Sequence, residues 1–255
     1  MAQWALVTGA TAGIGESFTR LLASKGYNIA LVARDEARLH ERAAGLREKY
    51  GVQTFVLPAD LATDSGCKVV EDYISTYPIE VLINNAGFGI KYPFTQSQIK
   101  AEQDLLDVLV RTPMRLMHVI LPGMKERNSG IIINVSSVAS FIAGGTYSAA
   151  KSYLTVLSES INTELKGTGV KVSALCPGFT RTEFHQRGKM TMSGLPNFMW
   201  LNADKLVEQS WKDAQANKPV SIPGWQYKLL VAIISIAPRK FVRNIGMNIR
   251  KKQRT

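Results

Sequence analysis

Trp4-Ala-Leu-Val-Thr8-Gly9-Ala-Thr-Ala-Gly13-Ile-Gly15 decides how this chain folds. Its first five residues are a short apolar run that reads as a buried strand, and Gly9, Gly13 and Gly15 punctuate the rest. A helical pattern then begins, with Phe18, Leu21 and Leu22 spaced to face a core. Strand, glycine turn and helix in that order let backbone N–H groups and a helix N-terminus cradle a pyrophosphate. The glycines admit phosphate oxygens close to the backbone, and Gly15 lets the helix pack tightly on its strand. A plain tight turn is the alternative, and the flanking strand and helix favour the dinucleotide.

Outward from this stretch, strand-like and helix-like segments alternate. Residues 3–8, 28–33, 52–57, 79–84, 130–135, 170–175 and 219–222 read as strands, most of them apolar on both faces, as buried parallel strands are. Helical stretches between them imply right-handed crossovers. The expectation is one α/β domain over 1–255, a doubly wound parallel sheet of about seven strands with helices on both faces. At 255 residues and 45% hydrophobic content the chain can bury such a core. The segment 183–202, rich in Met, Gly, Asn and Pro, interrupts the alternation and is expected to act as a substrate lid.

The second strand ends in Ala33-Arg34, with Arg38 one helical turn on. A fold selecting NAD(H) carries an acid near this point, about 20 residues past the glycines, for the ribose 2′-hydroxyl. Here the acid is missing and a cation stands in its place, which favours the 2′-phosphate of NADP(H). The plainer reading of Arg34 is a solvated residue at a strand end. Tyr147-Ser-Ala-Ala-Lys151 supplies candidate chemistry. Positions i and i+4 share a helix face. A tyrosine titrates near ~10, and a fixed cation beside it favours the phenolate and so lowers that value. The pair then suits general acid/base work on an alcohol or carbonyl. Alone the spacing is common, and an ordinary helix surface explains it equally well.

Taken together these residues give the chain a resemblance to the short-chain dehydrogenase/reductase family over nearly its whole length, most like a bacterial branch of reductases. Thr8-Gly-x-x-x-Gly-Ile-Gly15 resembles the family's cofactor loop, Asp60-Leu61 its adenine-contacting step, and Asn84-Asn-Ala-Gly87 its sheet-stabilising turn. Ser136-Ser137 resembles the position of the catalytic serine, with Ser137 the better aligned, and Pro177-Gly178 with Thr180 and Thr182 the loop gripping the nicotinamide carboxamide. The resemblance implies a Rossmann-like fold and NADP(H)-dependent hydride transfer between the nicotinamide and a carbonyl or secondary alcohol, an apolar or acyl-chain ketone among them. It implies Ser137, Tyr147 and Lys151 as catalytic residues. Cofactor contacts are implied at Thr8, Gly9, Thr11, Gly13, Ile14, Gly15, Arg34, Asp60, Leu61, Asn85, Ala86, Gly87, Tyr147, Lys151, Pro177, Gly178, Thr180 and Thr182. Two departures stand out. Leu109 falls where the family usually carries an asparagine that holds a water of the proton relay, and the ten-residue step from Ser137 to Tyr147 is shorter than usual. Leu109 is the sole support for a rival reading, a dinucleotide-binding regulatory or scaffold protein with little turnover.

Net charge is +11, concentrated at one end. From Ala214 to Thr255 there are nine Lys or Arg and no acid, which leaves 22 basic and 20 acidic groups in residues 1–213. The same region holds the apolar run Leu229–Ala237, too short for a bilayer span of about 20 residues. The extension 226–255 therefore suits an anionic membrane surface, or else packs over the substrate pocket or against a neighbouring subunit of a homo-oligomer. No nucleic-acid recognition module accompanies the charge. Cys67 and Cys176 are too few for a disulfide framework, and His40, His118 and His185 are not clustered, so no metal is expected. Met1-Ala-Gln runs straight into the first strand without a signal sequence, and a reducing cytoplasm is the expected location.

Overall fold

The structure is a computed structural model that describes residues 3–183, 196–240 and 242–243. Seven strands run through them: β1 (Trp4–Thr8), β2 (Asn28–Ala33), β3 (Thr54–Pro58), β4 (Ile79–Asn84), β5 (Gly130–Val135), β6 (Val170–Leu175) and β7 (Val220–Ser221). They pair in parallel, in the order β3-β2-β1-β4-β5-β6-β7. Every strand lies within two residues of its expected bounds. The largest shift is at β3, where Gly51 closes the preceding helix in the left-handed conformation (φ 67°) and Val52-Gln53 carries the chain back to the sheet.

The helices are α1 (Gly13–Ser24), α2 (Glu36–Tyr50), α3 (Asp64–Thr76), α4 (Ile99–Leu106), α5 (Thr112–Glu126), α6 (Thr146–Glu164), α7 (Ala203–Gln215) and α8 (Trp225–Ile236). Because alternate strand residues point to opposite faces, the sheet feeds two cores. Val7, Ile29, Leu31 and Ile83 pack with Phe18 and Leu22 of α1, Leu39 of α2 and Trp211 of α7. Leu6, Val32, Leu82 and Ile132 pack with Val70 of α3, Leu116 of α5 and Leu154 of α6. Side chains fix several helix starts: Asp35 Oδ1 accepts from the Arg38 amide, Thr63 Oγ1 from Gly66, and Asn202 Oδ1 from Lys205, each at 3.0 Å. Such caps are worth about 1 kcal/mol each. Helix α1 starts after Ala12 with no side-chain cap, so no capping side chain occupies its first N–H groups.

The chain winds outward from β1 through β2 to β3, then crosses back to β4 and proceeds the other way. Loops after β1 and β4 therefore diverge and leave a crevice at the carboxyl ends of the strands, where ligands of such sheets bind. Of the expected lid, residues 184–195, with His185, lie outside the described residues, as do Phe241 and 244–255 of the basic extension. The described flank of the lid returns to the body through a parallel bridge between Thr180 and Leu201.

Candidate active site

The crevice is held open by a knot at Thr8. Its buried hydroxyl donates to the Ile83 carbonyl at 3.3 Å and accepts from the amides of Asn85 (2.9 Å) and Ala86 (3.0 Å). Asn85 Nδ2 donates in return to the carbonyls of Thr8 at 2.9 Å and Gly9 at 3.2 Å. Gly9 and Gly13 hold φ of 66° and 58°, which side chains resist. A Cβ on Gly15 would lie 2.2 Å from the Gly9 carbonyl oxygen and 2.4 Å from Asn85 Nδ2. The close approach at Gly15 is thus to the turn itself and to Asn85, rather than to the body of the strand. With bare backbone at the turn and an uncapped helix start behind it, these residues fit a dinucleotide pyrophosphate.

On the far side of the crevice, Ser137 follows β5 by two residues and opens a short turn, Val138–Phe141, its Oγ accepting from the Ala139 amide at 3.1 Å. Tyr147 and Lys151 come from the first turns of α6. Tyr147 hydrogen-bonds Ser137, and Lys151 Nζ lies 5.8 Å from the Tyr147 ring centre. Lys151, 4% exposed, donates to the Val135 carbonyl at 2.5 Å. Ser136 Oγ donates to the Lys151 carbonyl at 2.8 Å, which pins the helix to the strand end. The expected lowering of the tyrosine by its lysine is reversed. Burial pushes the Tyr147 phenol up to about 12, partly offset by Ser137, and the same burial pulls the Lys151 ammonium down to about 8. Desolvation disfavours the charged form of each group and is the largest cause of both shifts.

Beside Lys151 lies a partly open cavity of about 10 Å³, lined by Thr8, Asn84, Leu109, Thr112 and Lys151 among others. Leu109 is 1% exposed and sits in a π-helical turn, Asp107–Arg111, that joins α4 to α5. Its Cδ2 comes within 2.8 Å of where a Cβ on Gly87 would stand. Asn84, facing Asn134 across the β4–β5 ladder, donates to that residue's Oδ1 at 2.8 Å. Asn84 Oδ1 is buried with no partner among the described residues. In the sequence Asn84 reads only as part of a turn motif. The signal for more is its register opposite a second asparagine.

The outer half of the crevice is polar. Arg34 is exposed at the end of β2. Arg38 is engaged: it donates to Glu183 at 3.0 and 3.3 Å and to the Thr11 carbonyl at 3.3 Å. Nothing in the sequence points to Glu183, which is 145 residues away. Ile14 stands half-buried in the first turn of α1. Asp60 is exposed and caps the Ala62 amide at 3.1 Å, while the carbonyl of buried Leu61 accepts from Thr112 Oγ1 at 2.9 Å. After β6, the Pro177 carbonyl accepts from the Val138 amide at 3.0 Å, Thr180 Oγ1 donates to the Gly178 carbonyl at 3.0 Å, and Thr182 rests on Gly13. Tyr227 of α8 clamps this loop. A Cβ on Gly178 would fall 2.0 Å from its ring, and its hydroxyl accepts from the Phe179 amide at 3.0 Å and donates to the Met199 carbonyl at 2.6 Å. The structure therefore brings Ser137, Tyr147 and Lys151 together and gathers Thr8, Gly9, Gly15, Asn85 and Ala86 about one turn, while Arg34 and Asp60 are exposed to solvent.

Comparison with known proteins bears on this arrangement. A family model described as short chain dehydrogenase matches residues 3–192. The very-long-chain 3-oxoacyl-CoA reductase of Rattus norvegicus is 31% identical over 199 residues, 75% of this chain and 64% of that protein. A human protein named inactive hydroxysteroid dehydrogenase-like protein 1 is 33% identical over 71% of this chain and 56% of its own length. The chain thus spans less than two thirds of either relative. Among solved structures, a short-chain dehydrogenase from Sphingobium yanoikuyae in complex with NADPH superposes with a TM-score of 0.83 at 30% identity, over 92% of this chain and 96% of that one.

Proposed function

The chain belongs to the short-chain dehydrogenase family, and from that premise we propose that it is an NADP(H)-dependent oxidoreductase interconverting an apolar or acyl-chain ketone and its secondary alcohol. The observation that carries this reading is the convergence of Ser137, Tyr147 and Lys151 on the mouth of a glycine-lined crevice. The dinucleotide, when bound, supplies or takes up the hydride. Tyr147 gives its proton to the substrate oxygen in reduction and removes it in oxidation. Ser137 donates a hydrogen bond to that same oxygen and steadies its developing charge. Lys151, held by the Val135 carbonyl, replenishes the phenol from within the protein. Leu109 has no group to relay a proton. The unpartnered Asn84 oxygen and Lys151 border one cavity with room for a single water, and the relay runs through them.

The glycine turn, Asn85, Ala86 and the Pro177–Thr182 loop would hold the dinucleotide, and Arg34 with Arg38 would meet its 2′-phosphate. Support for NADPH comes from these cations and from the NADPH bound by the Sphingobium relative. The acyl-chain part of the reading is supported by the name of the rat relative. In this reading the protein is a cytoplasmic homo-oligomer whose basic end touches a membrane. No helix among the described residues is long and apolar enough to cross one.

Cofactor oxidation by the purified chain, followed over ketones of graded chain length, tests the proposal. Turnover with NADPH that improves with chain length is expected, and silence across the series would defeat it. An Arg34→Ala variant should weaken NADPH binding by roughly tenfold to a hundredfold, the worth of a charge-assisted contact, and leave NADH binding unchanged.

A further inference from the structure

Helix α8 is apolar on two opposite sides. Tyr227, Val231 and Ile234 are buried against the body of the protein. Trp225, Leu229, Ile233 and Ile236 follow one another at steps of four, four and three, which puts them within about 80° of arc on the outer side. All four are exposed, Trp225 at 72% and Ile236 at 86%. Phe198, also exposed, lies near the start of α8, since Gln226 Nε2 donates to its carbonyl at 2.9 Å. Large apolar side chains gathered in this way mark a surface that meets something.

Charge narrows what that something is. Lys228 beside the stripe, and Arg239, Lys240 and Arg243 beyond its end, are exposed and form no ion pair among the described residues. No acid occurs from Ala214 to the chain end. A two-fold contact through this face would bring two such basic surfaces together with no acid of the same region to offset them. An anionic lipid surface instead takes up the apolar stripe and attracts every cation around it, with a tryptophan at the boundary.

The stripe also adjoins the site. Through Tyr227, α8 clamps the Gly178–Phe179 loop, and the helix packs on the Val138–Phe141 turn next to Ser137. We propose that α8 is a docking element that seats the protein on an anionic lipid surface beside its crevice, so that an apolar ketone passes from lipid to the site without crossing water. The docking stands on the surface alone, and its consequence for substrate rests on the oxidoreductase reading above.

Flotation of the full chain with phosphatidylcholine vesicles, with and without phosphatidylserine, at low salt and without substrate, tests the docking. Binding is expected only with phosphatidylserine, with release as salt rises. A Leu229→Ser/Ile236→Ser variant should bind on the order of tenfold more weakly, and Arg239→Gln/Lys240→Gln should lose roughly fivefold per cation. Both variants should turn over a short, water-soluble ketone at the parent rate, while vesicles accelerate a long-chain ketone for the parent chain only. Binding indifferent to phosphatidylserine, binding unaltered in the stripe variant, or a stripe variant that changes oligomeric state instead would each overturn the docking. Flotation without turnover of any ketone would leave the docking standing and sink the oxidoreductase reading. Turnover without flotation would do the reverse.

Discussion

Tyr147 and Lys151 are held together by a compromise that can be measured. Burial pulls the Lys151 ammonium from 10.5 to about 8, so the folded chain holds that proton more weakly than the unfolded chain. Below pH 8 the fold bears the whole penalty of a buried charge, about 3 kcal/mol. As pH climbs from 8 to 10.5 the folded lysine surrenders its proton first and the penalty fades. Lys151→Met should therefore raise the melting temperature at pH 7 by a few degrees, less the lost bond to Val135, with a smaller difference at pH 10. The same variant should lose turnover, so thermal melts over pH beside rate measurements check the trade. Tyr147→Phe keeps the ring and removes only the proton. We expect kcat to drop by at least 10²–10⁴-fold with NADPH affinity unchanged, measured by cofactor fluorescence. A near-normal rate would remove Tyr147 from the chemistry. The pair itself was legible from its spacing on one helix face. The direction of its titration was not, because burial is set by how the rest of the fold closes around the pair.

At the scale of elements, the π turn Asp107–Arg111 decides where Leu109 points. One extra residue in the helical repeat turns Leu109 into the space between Gly87 and Lys151. Leu109→Asn should keep turnover within a few-fold, since the proposed relay runs without an amide there. It should also lower stability by ~1–3 kcal/mol, the penalty for a buried polar group with few partners, which a denaturant melt would show. Complete inactivity in a folded variant would mean that Leu109 itself shapes the site. Strands were legible because their signal is local, a short apolar run. The π turn and the Arg38–Glu183 pair were not. The first has no composition of its own, and the second joins residues that only the closed fold brings together.

For the whole molecule, a doubly wound parallel sheet with helices on both faces followed from the alternation of segments, while the strand order and the crevice at its reversal needed the folded chain. The expected oligomer has a physical candidate in the outer face of α5 and α6, where Met114, Tyr153 and Val156 are exposed and the Tyr153 hydroxyl donates to Met114 Sδ at 3.3 Å. Sedimentation should give a mass above the 28.1 kDa of one chain, and Val156→Glu should shift it toward that value while the fold survives. A parent chain that sediments as a monomer would refute the assignment. That face escaped sequence reading because Val156 sits within a helix whose other side carries the site, and apolar residues on both sides blur the pattern.

The clamp of Tyr227 on Gly178 has a further consequence, in time rather than space. The loop after β6 owes its shape to a ring contributed 49 residues later. A nascent chain emerging from the ribosome can assemble the sheet from β1 to β6 and still lack a finished site until α8 has cleared the exit tunnel. Arrested chains of increasing length should gain protease resistance in the sheet before they retain NADPH. Assembly of this protein thus ends at its site.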